Sequence, residues 1–454
     1  MPIKRLFVAN RGEIAVRVLR TAKKLGIETV LGVSAADRET LGADLADRTV
    51  VLGPAAAAQS YLNAKLVVHA AKMTGCDALH PGYGFLSEKP ELARLCEEAG
   101  VIFVGPRPEA IEALGDKLAA REIAEAAGVP LVPGTNHVGN IADAKAAAAK
   151  LGYPIVMKAS AGGGGRGMFK AASEAEIEAS FERASREAEA AFGDNRLYIE
   201  RFVERARHVE VQIVGDGEGN VVHFGERDCS VQRRYQKLIE ETPAPRLPDA
   251  LRQELLAAGV RFARRLDYRG AGTVEFLVDA AANAFYFLEM NARIQVEHPV
   301  TEAVSGIDLV AEQIAIAGGA DFTLQQAGLR LQGAAIECRI NAEDPALDFR
   351  PSPGTVRVAD WPSGEGVRVD THITAGARVP PFYDSLLGKI IVHGPDRATA
   401  LARLRRAIAA TRIEGVATNL AFHAAVLDHP EFAHGGVDTG FLARTLPATP
   451  APEV

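Results

Sequence analysis

Hydrophobic residues in the first 105 positions follow two alternating patterns. Short apolar runs predict β-strands at 3–10, 28–34, 76–80 and 101–105. Apolar residues that recur with helical spacing predict helices at 13–25, 61–74 and 88–99. Strands that alternate with helices in this way build a parallel sheet with helices on both faces. The pattern therefore predicts a doubly wound α/β unit in the first zone, residues 1–114.

Two further zones follow, and their patterns differ from the first. The predicted elements that open the second zone, 115–330, are helices at 115–128 and 141–151 and a strand at 153–159. The third zone, 331–446, begins with the apolar strand AAIECRI, is richer in Gly and Pro, and has one long predicted helix at about 396–410. Residues 447–454 (PATPAPEV) are expected to form a flexible tail because their composition cannot build a core.

Composition and charge exclude some classes of function. The 454 residues are 48% hydrophobic and 24% charged, as in ordinary globular proteins. A net charge of −7 argues against a nucleic-acid partner, and the absence of an apolar run of about 18 residues argues against a membrane span. Four cysteines without CxxC spacing favour a reducing, cytoplasmic location and no zinc site of the common kind: Cys76, Cys96, Cys229 and Cys338.

The segment KASAGGGGRG, residues 158–167, is the first candidate site. A glycine-rich loop after a strand lets successive backbone N–H groups approach phosphate oxygens closely. Lys158 precedes the loop, which distinguishes it from a Walker A loop, where the lysine follows. A strand lysine beside a glycine flap suits a nucleoside triphosphate. The alternative is a flexible linker, against which the cations Lys158 and Arg166 argue.

A pair of acidic strands is the second candidate site. Two apolar runs flank residues 280–283, which predicts a hairpin. With the turn centred near Ala282, Glu275 lies opposite Glu289. Directly opposed carboxylates repel each other, but a divalent cation between them reverses the sign of that interaction. The pair is therefore predicted to bind Mg²⁺ or Mn²⁺.

Polar residues then occupy every second position from Glu289 to Glu297, through Asn291, Arg293 and Gln295. In one extended strand these residues would share a face, in a row about 26 Å long. Such a row would run from the metal to a second substrate. The alternative is the solvated face of an edge strand. The apolar run FYFLEM before the row argues against it, because that run predicts burial on both faces.

Motifs along nearly the whole chain resemble those of biotin carboxylase, the ATP-grasp component of biotin-dependent carboxylases. These motifs are FVANRGEIA, HPGYGFLSE, KASAGGGGRG, ERDCSVQRR, EMNARIQVEHPVTE, ECRINAEDP and PPFYDSLLGK. The resemblance implies an N-terminal α/β domain (1–114), an ATP-grasp domain (115–330) with a lid at about 131–203, and an α+β C-terminal domain (331–446). It also implies ATP- and bicarbonate-dependent carboxylation of biotin through carboxyphosphate.

The same resemblance implies roles for individual residues. Those implied to contact ATP are Lys117, Lys158, Gly163, Gly164, Gly165, Arg166, Gly167, Glu200, His208 and Gln232. Those implied to bind the metal are Glu275 and Glu289, with Asn291 adjacent. Those implied to hold bicarbonate are Lys237, Arg293, Gln295 and the amide of Val296, with Glu297 as general base. Biotin would lie near Tyr83 and Arg339. Without the resemblance, a surface histidine is the favoured interpretation of His208. The alternative for Arg339 is a structural ion pair with Glu337 or Glu343.

The chain departs from the family pattern at Tyr235, where QRRYQK replaces the usual QRRHQK. The replaced histidine is expected near the ribose of ATP. A tyrosine hydroxyl can still donate a hydrogen bond, so we expect altered nucleotide affinity and not lost chemistry.

The chain contains no biotinyl-lysine motif of the A-M-K-M type. Biotin is therefore expected on a separate biotin carboxyl carrier protein, and a carboxyltransferase is expected to complete the pathway, with acetyl-CoA as the default acceptor. Other acyl-CoAs, pyruvate and urea-type amides stay open. So do a different ATP-grasp ligase and a non-catalytic nucleotide-binding subunit. The resemblance further implies a homodimer.

Overall fold

The computed structural model describes residues 3–135, 137–160 and 168–445. The glycine positions Gly163, Gly164, Gly165 and Gly167, with Arg166, and the tail 447–454 lie outside these ranges, so the expectations for them stay predictions. The described residues form a parallel sheet, a large antiparallel sheet, a small three-stranded sheet and several two-stranded pairings.

The N-terminal zone contains five parallel strands. They are β1 (Arg5–Val8), β2 (Glu28–Ser34), β3 (Arg48–Gly53), β4 (Ala78–His80) and β5 (Ile102–Phe103). The helices are α1 (Gly12–Lys24), α2 (Leu41–Leu45), α3 (Ala64–Met73), α4 (Pro90–Ala99) and α5 (Pro108–Gly115). The strand order β3-β2-β1-β4-β5 reverses at β1, which confirms the doubly wound sheet. The sequence prediction lacked β3, an edge strand whose residues are mostly exposed.

A small layer with its own core follows α6 (Lys117–Ala126). Its elements are α7 (Ile141–Leu151), β6 (Ile155–Ala159), β7 (Met168–Ala171), α8 (Glu174–Phe192) and β8 (Leu197–Arg201). The three strands are antiparallel in the order β7-β6-β8. Apolar side chains of this layer form a cluster of their own, which includes Val138, Ile155, Met157, Ile177 and Ile199. This layer, which we call the lid, therefore has a core separate from that of the neighbouring sheets.

The large sheet has eight antiparallel strands. They are β9 (Ala206–Asp216), β10 (Val221–Arg233), β11 (Gln236–Thr242), β12 (Arg269–Asp279), β13 (Ala284–Asn291), β14 (Ala334–Asn341), β19 (Val367–Thr371) and β21 (Leu386–Gly394). The order is β13-β12-β9-β10-β11-β14-β21-β19. Helices connected to it are α9 (Asp249–Arg265), α10 (His298–Ser305) and α11 (Leu309–Ala317). Because β11 pairs with β14, the sheet continues across the domain boundary expected at 330/331.

The remaining elements belong to the C-terminal zone. The short strands are β15 (Glu343–Asp344), β16 (Arg350–Pro351), β17 (Gly354–Thr355), β18 (Val358–Asp360), β20 (Arg378–Val379) and β22 (Arg412–Glu414). The helices are α12 (Arg397–Ala410), α13 (Leu420–Asp428), α14 (Pro430–His434) and α15 (Phe441–Thr445). Leu401 and Leu404 of α12 pack with Ile336 and Ile390 of the sheet in one apolar cluster. The predicted long helix and the strand that opens this zone are both present.

Candidate active site

A cavity of about 1900 Å³ lies between the lid, the large sheet and the C-terminal zone. Every predicted site residue that the structure describes lines it, apart from Glu297. These lining residues are Tyr83, Lys117, Lys158, Glu200, His208, Gln232, Tyr235, Lys237, Glu275, Glu289, Asn291, Arg293, Gln295, Val296 and Arg339. The fold thus gathers residues that are up to 256 positions apart in the sequence, from Tyr83 to Arg339.

On the lid side, buried Lys158 of β6 donates a hydrogen bond to Glu200 of β8, with 2.5 Å between Nζ and Oε2. The other Glu200 oxygen accepts from Arg121 of α6. Burial lowers the pKa of Lys158, but the charge and the hydrogen bond of Glu200, together with Tyr198, outweigh this effect and raise it to about 12. One carboxylate therefore lies between two cations, and a positive charge remains for an anionic ligand. The resemblance placed Glu200 beside adenine; in the structure its carboxylate is engaged by these two cations.

The β12–β13 hairpin has the predicted turn at 280–283, and Glu275 lies directly opposite Glu289. A β-bulge creates this register, because the pairing shifts between Glu275 and Phe276 and leaves Leu288 as the extra residue. An unbroken register from the turn would place Leu288 opposite Glu275. Bulges commonly redirect side chains beside active sites. Here the bulge brings the two carboxylates to one position of the cavity wall.

Glu275 is buried and fully engaged by donors. Its Oε1 accepts from Lys237 Nζ at 2.8 Å, Asn291 Nδ2 at 2.9 Å and Gln295 Nε2 at 2.9 Å. Its Oε2 lies 3.1 Å from Nε2 of buried His208, so the surface-histidine interpretation of His208 is wrong. Burial acts to raise the pKa of Glu275, but Lys237 and then His208 hold it well below its usual value.

Glu289 is the less constrained member of the pair. Its side chain is 29% exposed, and Lys117 Nζ lies 3.8 Å away. Burial raises the pKa of this carboxyl, and the Lys117 charge acts against that rise. Hard divalent cations prefer carboxylate oxygens, so the donor set fits Mg²⁺. A cation between Glu275 and Glu289 would provide part of the positive charge that Lys237 and His208 now provide at Glu275.

Lys237 of β11 is the centre of a cluster of carboxylates under the cavity. Its Nζ lies 2.5 Å from Glu210, 2.8 Å from Glu275 and 2.7 Å from Glu297. Burial lowers the pKa of Lys237, but the three carboxylates outweigh it and raise that pKa well above its usual value. The ligand atoms of His208, Glu210 and Glu275 also lie within 4.8 Å of one another. Lys237 already bonds both carboxylates of that group.

The predicted extended row from Glu289 to Glu297 is wrong. β13 ends at Asn291, the chain then bends, and Glu297 is the N-cap of α10, in which Pro299 occupies the first turn. Arg293 fixes the bend, because it donates to Asn291 Oδ1 at 2.8 Å and to Gln295 Oε1 at 3.0 Å. Instead of a 26 Å row, Asn291, Arg293 and Gln295 form a compact group beside the carboxylates of Glu275 and Glu289.

The sequence-based expectation that FYFLEM is buried on both faces, which argued against an edge strand, is also wrong. β13 is an edge strand of the large sheet, and its residues alternate between buried and half-buried positions. FYFLEM is therefore not buried on both faces. The half-buried face nevertheless lines the cavity, where Leu288 and Glu289 are exposed to it, and is not an open solvated surface.

Arg339 of β14 bonds two carboxylates of neighbouring elements. Its guanidinium reaches Glu240 Oε1, with Nε at 2.6 Å, and Glu297 Oε2, with Nη2 at 2.9 Å. The sequence left Glu337 and Glu343 open as ion-pair partners of Arg339, but the structure pairs Arg339 with Glu240 and Glu297 instead. Glu297 itself is fully buried, and burial raises its pKa, while Lys237 and Arg339 lower it well below its usual value. The carboxylate is therefore held ionised just behind the cavity wall.

Tyr83 and Tyr235 mark two edges of the cavity. Tyr83 donates its hydroxyl hydrogen bond to Glu13 of α1. Tyr235 is 54% exposed at the two-residue turn between β10 and β11, where it and Arg234 both have positive φ, 65° and 49°. Turns of this kind favour positive φ at both central residues. The side chain of Tyr235 therefore projects from a hairpin tip at the cavity rim.

The sequence reasoning missed several residues that hold the site together. They are Glu13, Glu88, Arg121, Glu210, Arg227, Glu240 and Lys389. Arg227 is completely buried and donates to Glu210 at 2.6 Å, and Lys389 donates to the Val296 carbonyl at 2.6 Å. Glu210 alternates with Val209 and Val211 along β9, and Arg227 lies in a polar run of β10, so the sequence alone does not distinguish these buried charges from residues on a solvated face.

A lysine-lined cavity under a lid, with a carboxylate pair on an antiparallel sheet, defines an ATP-dependent ligase of the ATP-grasp class. Family models agree over most of the chain. They are the biotin carboxylase N-terminal domain at 2–111, the carbamoyl-phosphate synthase L chain ATP-binding domain at 116–325, and the biotin carboxylase C-terminal domain at 337–444. The chain belongs to the biotin carboxylase family and is the biotin carboxylase component of a biotin-dependent carboxylase.

Curated relatives and solved structures are similar over nearly the full length. Biotin carboxylase 1 of Bacillus subtilis is 48% identical over 441 residues, 97% of this chain and 98% of the relative. A pyruvate carboxylase subunit of Methanothermobacter thermautotrophicus is 45% identical over 96% of this chain and 89% of its own. The biotin carboxylase domain dimer of Hydrogenobacter thermophilus 2-oxoglutarate carboxylase, solved with MgADP, ADP and bicarbonate, matches with a TM-score of 0.94 and 43% identity over 98% of each chain.

Across the described residues, no helix combines the length and the apolar character that crossing a membrane requires.

Proposed function

We propose that this enzyme carboxylates biotin carried on a separate carrier protein, with ATP and bicarbonate as co-substrates, and that the residues gathered at the cavity carry out the reaction. One observation supports this most strongly. Lys237 bonds both Glu275, one of the two predicted metal ligands, and Glu297, the predicted base. The predicted metal site and the predicted base therefore lie within one hydrogen-bonded cluster. A structure in which these carboxylates faced different surfaces would not support it.

The lid side and the hairpin side divide the binding of MgATP. Lys117 and Lys158, with the glycine loop 162–167, hold the phosphates, and Glu275 and Glu289 hold Mg²⁺. When bound, Mg²⁺ supplies charge neutralisation at the phosphate oxygens. Preorganised cations in a site that excludes water stabilise the charge that develops during phosphoryl transfer.

Bicarbonate binds beside Arg293, whose guanidinium fork suits a planar anion. Glu297 takes the bicarbonate proton, and the deprotonated oxygen forms a bond to the γ-phosphorus while the bond from that phosphorus to ADP breaks. The product is carboxyphosphate. Lys237 keeps Glu297 ionised for this step. Because Glu297 lies behind the wall, bicarbonate reaches it by displacing part of the contact with Lys237 or Arg339.

Carboxyphosphate then yields CO₂ and phosphate, and the phosphate accepts the proton from the ureido nitrogen of biotin. That nitrogen forms the new bond to CO₂. Arg339 stabilises the negative charge that develops on the ureido oxygen. Water in the cavity would hydrolyse carboxyphosphate, so a lid over the cavity serves the chemistry directly.

The experiment that tests the reaction measures ATP cleavage with and without bicarbonate and free biotin. We expect cleavage that requires bicarbonate and is stimulated by biotin. The variant Glu297→Ala is expected to lose at least about 10²-fold in turnover, because a general base contributes about 10²–10⁴-fold, while ATP binding is largely retained. Glu312→Ala, on α11 outside the cavity, is the matched control. A rate of ATP cleavage that does not change when biotin is added would favour another ATP-grasp ligase. An absence of cleavage together with nucleotide binding would favour a non-catalytic role.

The final acceptor and the partners are part of the proposal. We take acetyl-CoA as the acceptor, with a carboxyltransferase as the second enzyme, a homodimer as the assembly and the cytoplasm as the location. All four cysteines are free and buried, which supports a reducing compartment. The relatives named for pyruvate and 2-oxoglutarate carboxylases make these acids the competing acceptors. Transfer of ¹⁴C from bicarbonate to acetyl-CoA, pyruvate or 2-oxoglutarate, with matched carrier and transferase pairs, separates them.

A further inference from the structure

Behind Arg339, two buried carboxyl groups face each other across neighbouring strands. Glu240 of β11 and Glu337 of β14 are direct partners in the antiparallel register, and both are completely buried. Among the described residues, neither oxygen of Glu337 has a hydrogen-bond partner, and Oε2 of Glu240 has none either. Two ionised carboxylates in this arrangement would repel each other without solvent to separate them.

Glu240 is also the closer of the two carboxylates that hold Arg339. Its Oε1 lies 2.6 Å from Nε and 2.5 Å from Nη2 of Arg339, whereas Glu297 Oε2 lies 2.9 Å from Nη2. A guanidinium held at two nitrogens by one oxygen has its orientation fixed. The residue proposed to meet biotin is therefore aimed by Glu240, which does not line the cavity.

Other titratable groups interact electrostatically with the carboxyl pair. The charged ones are Arg339 on β14, Lys237 on β11, Glu297 at the start of α10 and Lys389 on β21, and the neutral ones are the buried thiols of Cys229 and Cys338. Burial raises the pKa of Glu337 well above its usual value, against the charge of Lys389, which favours the protonated form of this carboxyl. Burial likewise raises the pKa of Glu240 to about 7, against the charge of Arg339.

We propose that Glu240 is a positioning residue for Arg339 in the biotin step, and that the protonation state of Glu240, beside the buried carboxyl of Glu337, sets how Arg339 divides its guanidinium between Glu240 and Glu297. With Glu240 ionised, Arg339 is held on the biotin side. With Glu240 protonated, Arg339 shifts towards Glu297. The proposal rests on the proposed function, because it assigns the biotin step to Arg339.

The test is the kinetics of Glu240→Gln with free biotin. We expect kcat/KM for biotin to fall about tenfold to a hundredfold, mainly through kcat, since misplacement of a group that stabilises developing charge by about 1 Å costs on that order. Cleavage of ATP with bicarbonate alone is expected to change by less than about threefold. Glu240→Asp, which keeps the charge, is expected to recover part of the loss, and it also serves if Glu240→Gln folds poorly.

The pH profile supplies a readout that a purely structural role would not change. In the parent enzyme, kcat/KM for biotin is expected to rise with pH through about 7, as Glu240 loses its proton. Glu240→Gln is expected to lose this rise. Glu337→Gln is expected to move it to lower pH, because its amide can donate to ionised Glu240 without contributing a carboxyl.

The matched control is Glu241→Gln. Glu241 is the next residue of the same strand, is also buried, and pairs with Arg397 on the opposite face. Its loss is expected to lower the melting temperature and to leave the biotin kinetics unchanged. Equal losses of both ATP reactions in Glu240→Gln, or a pH rise that persists in that variant, would overturn the positioning role. A parent enzyme without any biotin stimulation would overturn the proposed function as well, so the two failures are distinguishable.

Discussion

Two buried strand lysines show how differently the two halves of the cavity are charged. Lys158, on the lid side, has one carboxylate, Glu200, which it shares with Arg121. Lys237, on the sheet side, has three carboxylates around a single ammonium group. Both lysines are protonated because nearby carboxylates outweigh the effect of burial, yet only the first belongs to a group with a surplus of positive charge.

This difference separates a ligand-binding lysine from an organising one. The surplus charge at Lys158 is available to phosphate oxygens, so its loss should mainly affect the nucleotide. Lys237 neutralises carboxylates that would otherwise repel one another without solvent, so its loss should mainly affect folding. Sequence motifs mark both lysines as substrate contacts, and the carboxylates around each ammonium group distinguish them.

The largest effect is expected for Lys237→Met. Removal of the ammonium group leaves Glu210, Glu275 and Glu297 close together and buried, and breaking a buried ion pair from one side costs about 3–5 kcal/mol. Urea unfolding followed by circular dichroism measures this free energy. Lys145→Met, which removes an exposed pair with Glu178, is the control and is expected to cost less than about 1 kcal/mol. A similar small loss for both variants would remove the distinction between the lysines.

Lys158→Met is expected to affect the nucleotide more than the fold. Glu200 retains Arg121, so the loss of folding free energy should be clearly smaller than for Lys237→Met. ATP turnover is expected to fall about 10²–10³-fold, the usual effect of removing one preorganised donor to developing charge. Steady-state kinetics measure the ATP turnover of the variant, and urea unfolding of the same preparation measures its free energy of unfolding. Turnover within about tenfold of the parent would contradict the assignment of Lys158 to the phosphates.

The smallest effect is expected for Arg121→Met. Arg121 makes no predicted contact with ATP, but its removal leaves Lys158 and Glu200 as a neutral pair. A unit charge roughly 12 Å from an anion contributes on the order of 1 kcal/mol at an effective dielectric constant of about 20. Nucleotide affinity measured by calorimetry is therefore expected to fall about fivefold to tenfold. Unchanged affinity would show that the surplus charge on the lid side has no role.

The hairpin was predictable because a short turn joins two apolar runs. A turn centred near Ala282 placed Glu275 opposite Glu289, and the structure has this pairing, but it arises from the bulge at Leu288 and not from the turn. The bulge at Leu288 was not predictable, since a one-residue shift leaves the alternation on each side of it intact. Nor was the end of β13 at Asn291, because the pattern of alternating polar residues continues past the bend.

The partners of the site residues were beyond sequence reasoning for a different reason. Glu240 and Glu210 reach the site through pairing between strands that are distant in sequence, and no local pattern encodes that pairing. The roles proposed for Arg339 and Glu297 come from motifs. The structure adds that the two residues bond each other and that Glu240 competes for the same guanidinium.

The join between β11 and β14 has a consequence for building hybrid enzymes. A hybrid of two homologues that changes from one sequence to the other at residue 330 would follow the expected domain boundary. It would, however, take β11 from one homologue and β14 from the other, so the paired strands that carry Glu240 and Arg339 would come from different proteins. The lid carries its own apolar cluster, so exchanging it would disturb fewer native pairings. Recombination of these proteins should therefore follow sheets and cores and not the linear order of domains.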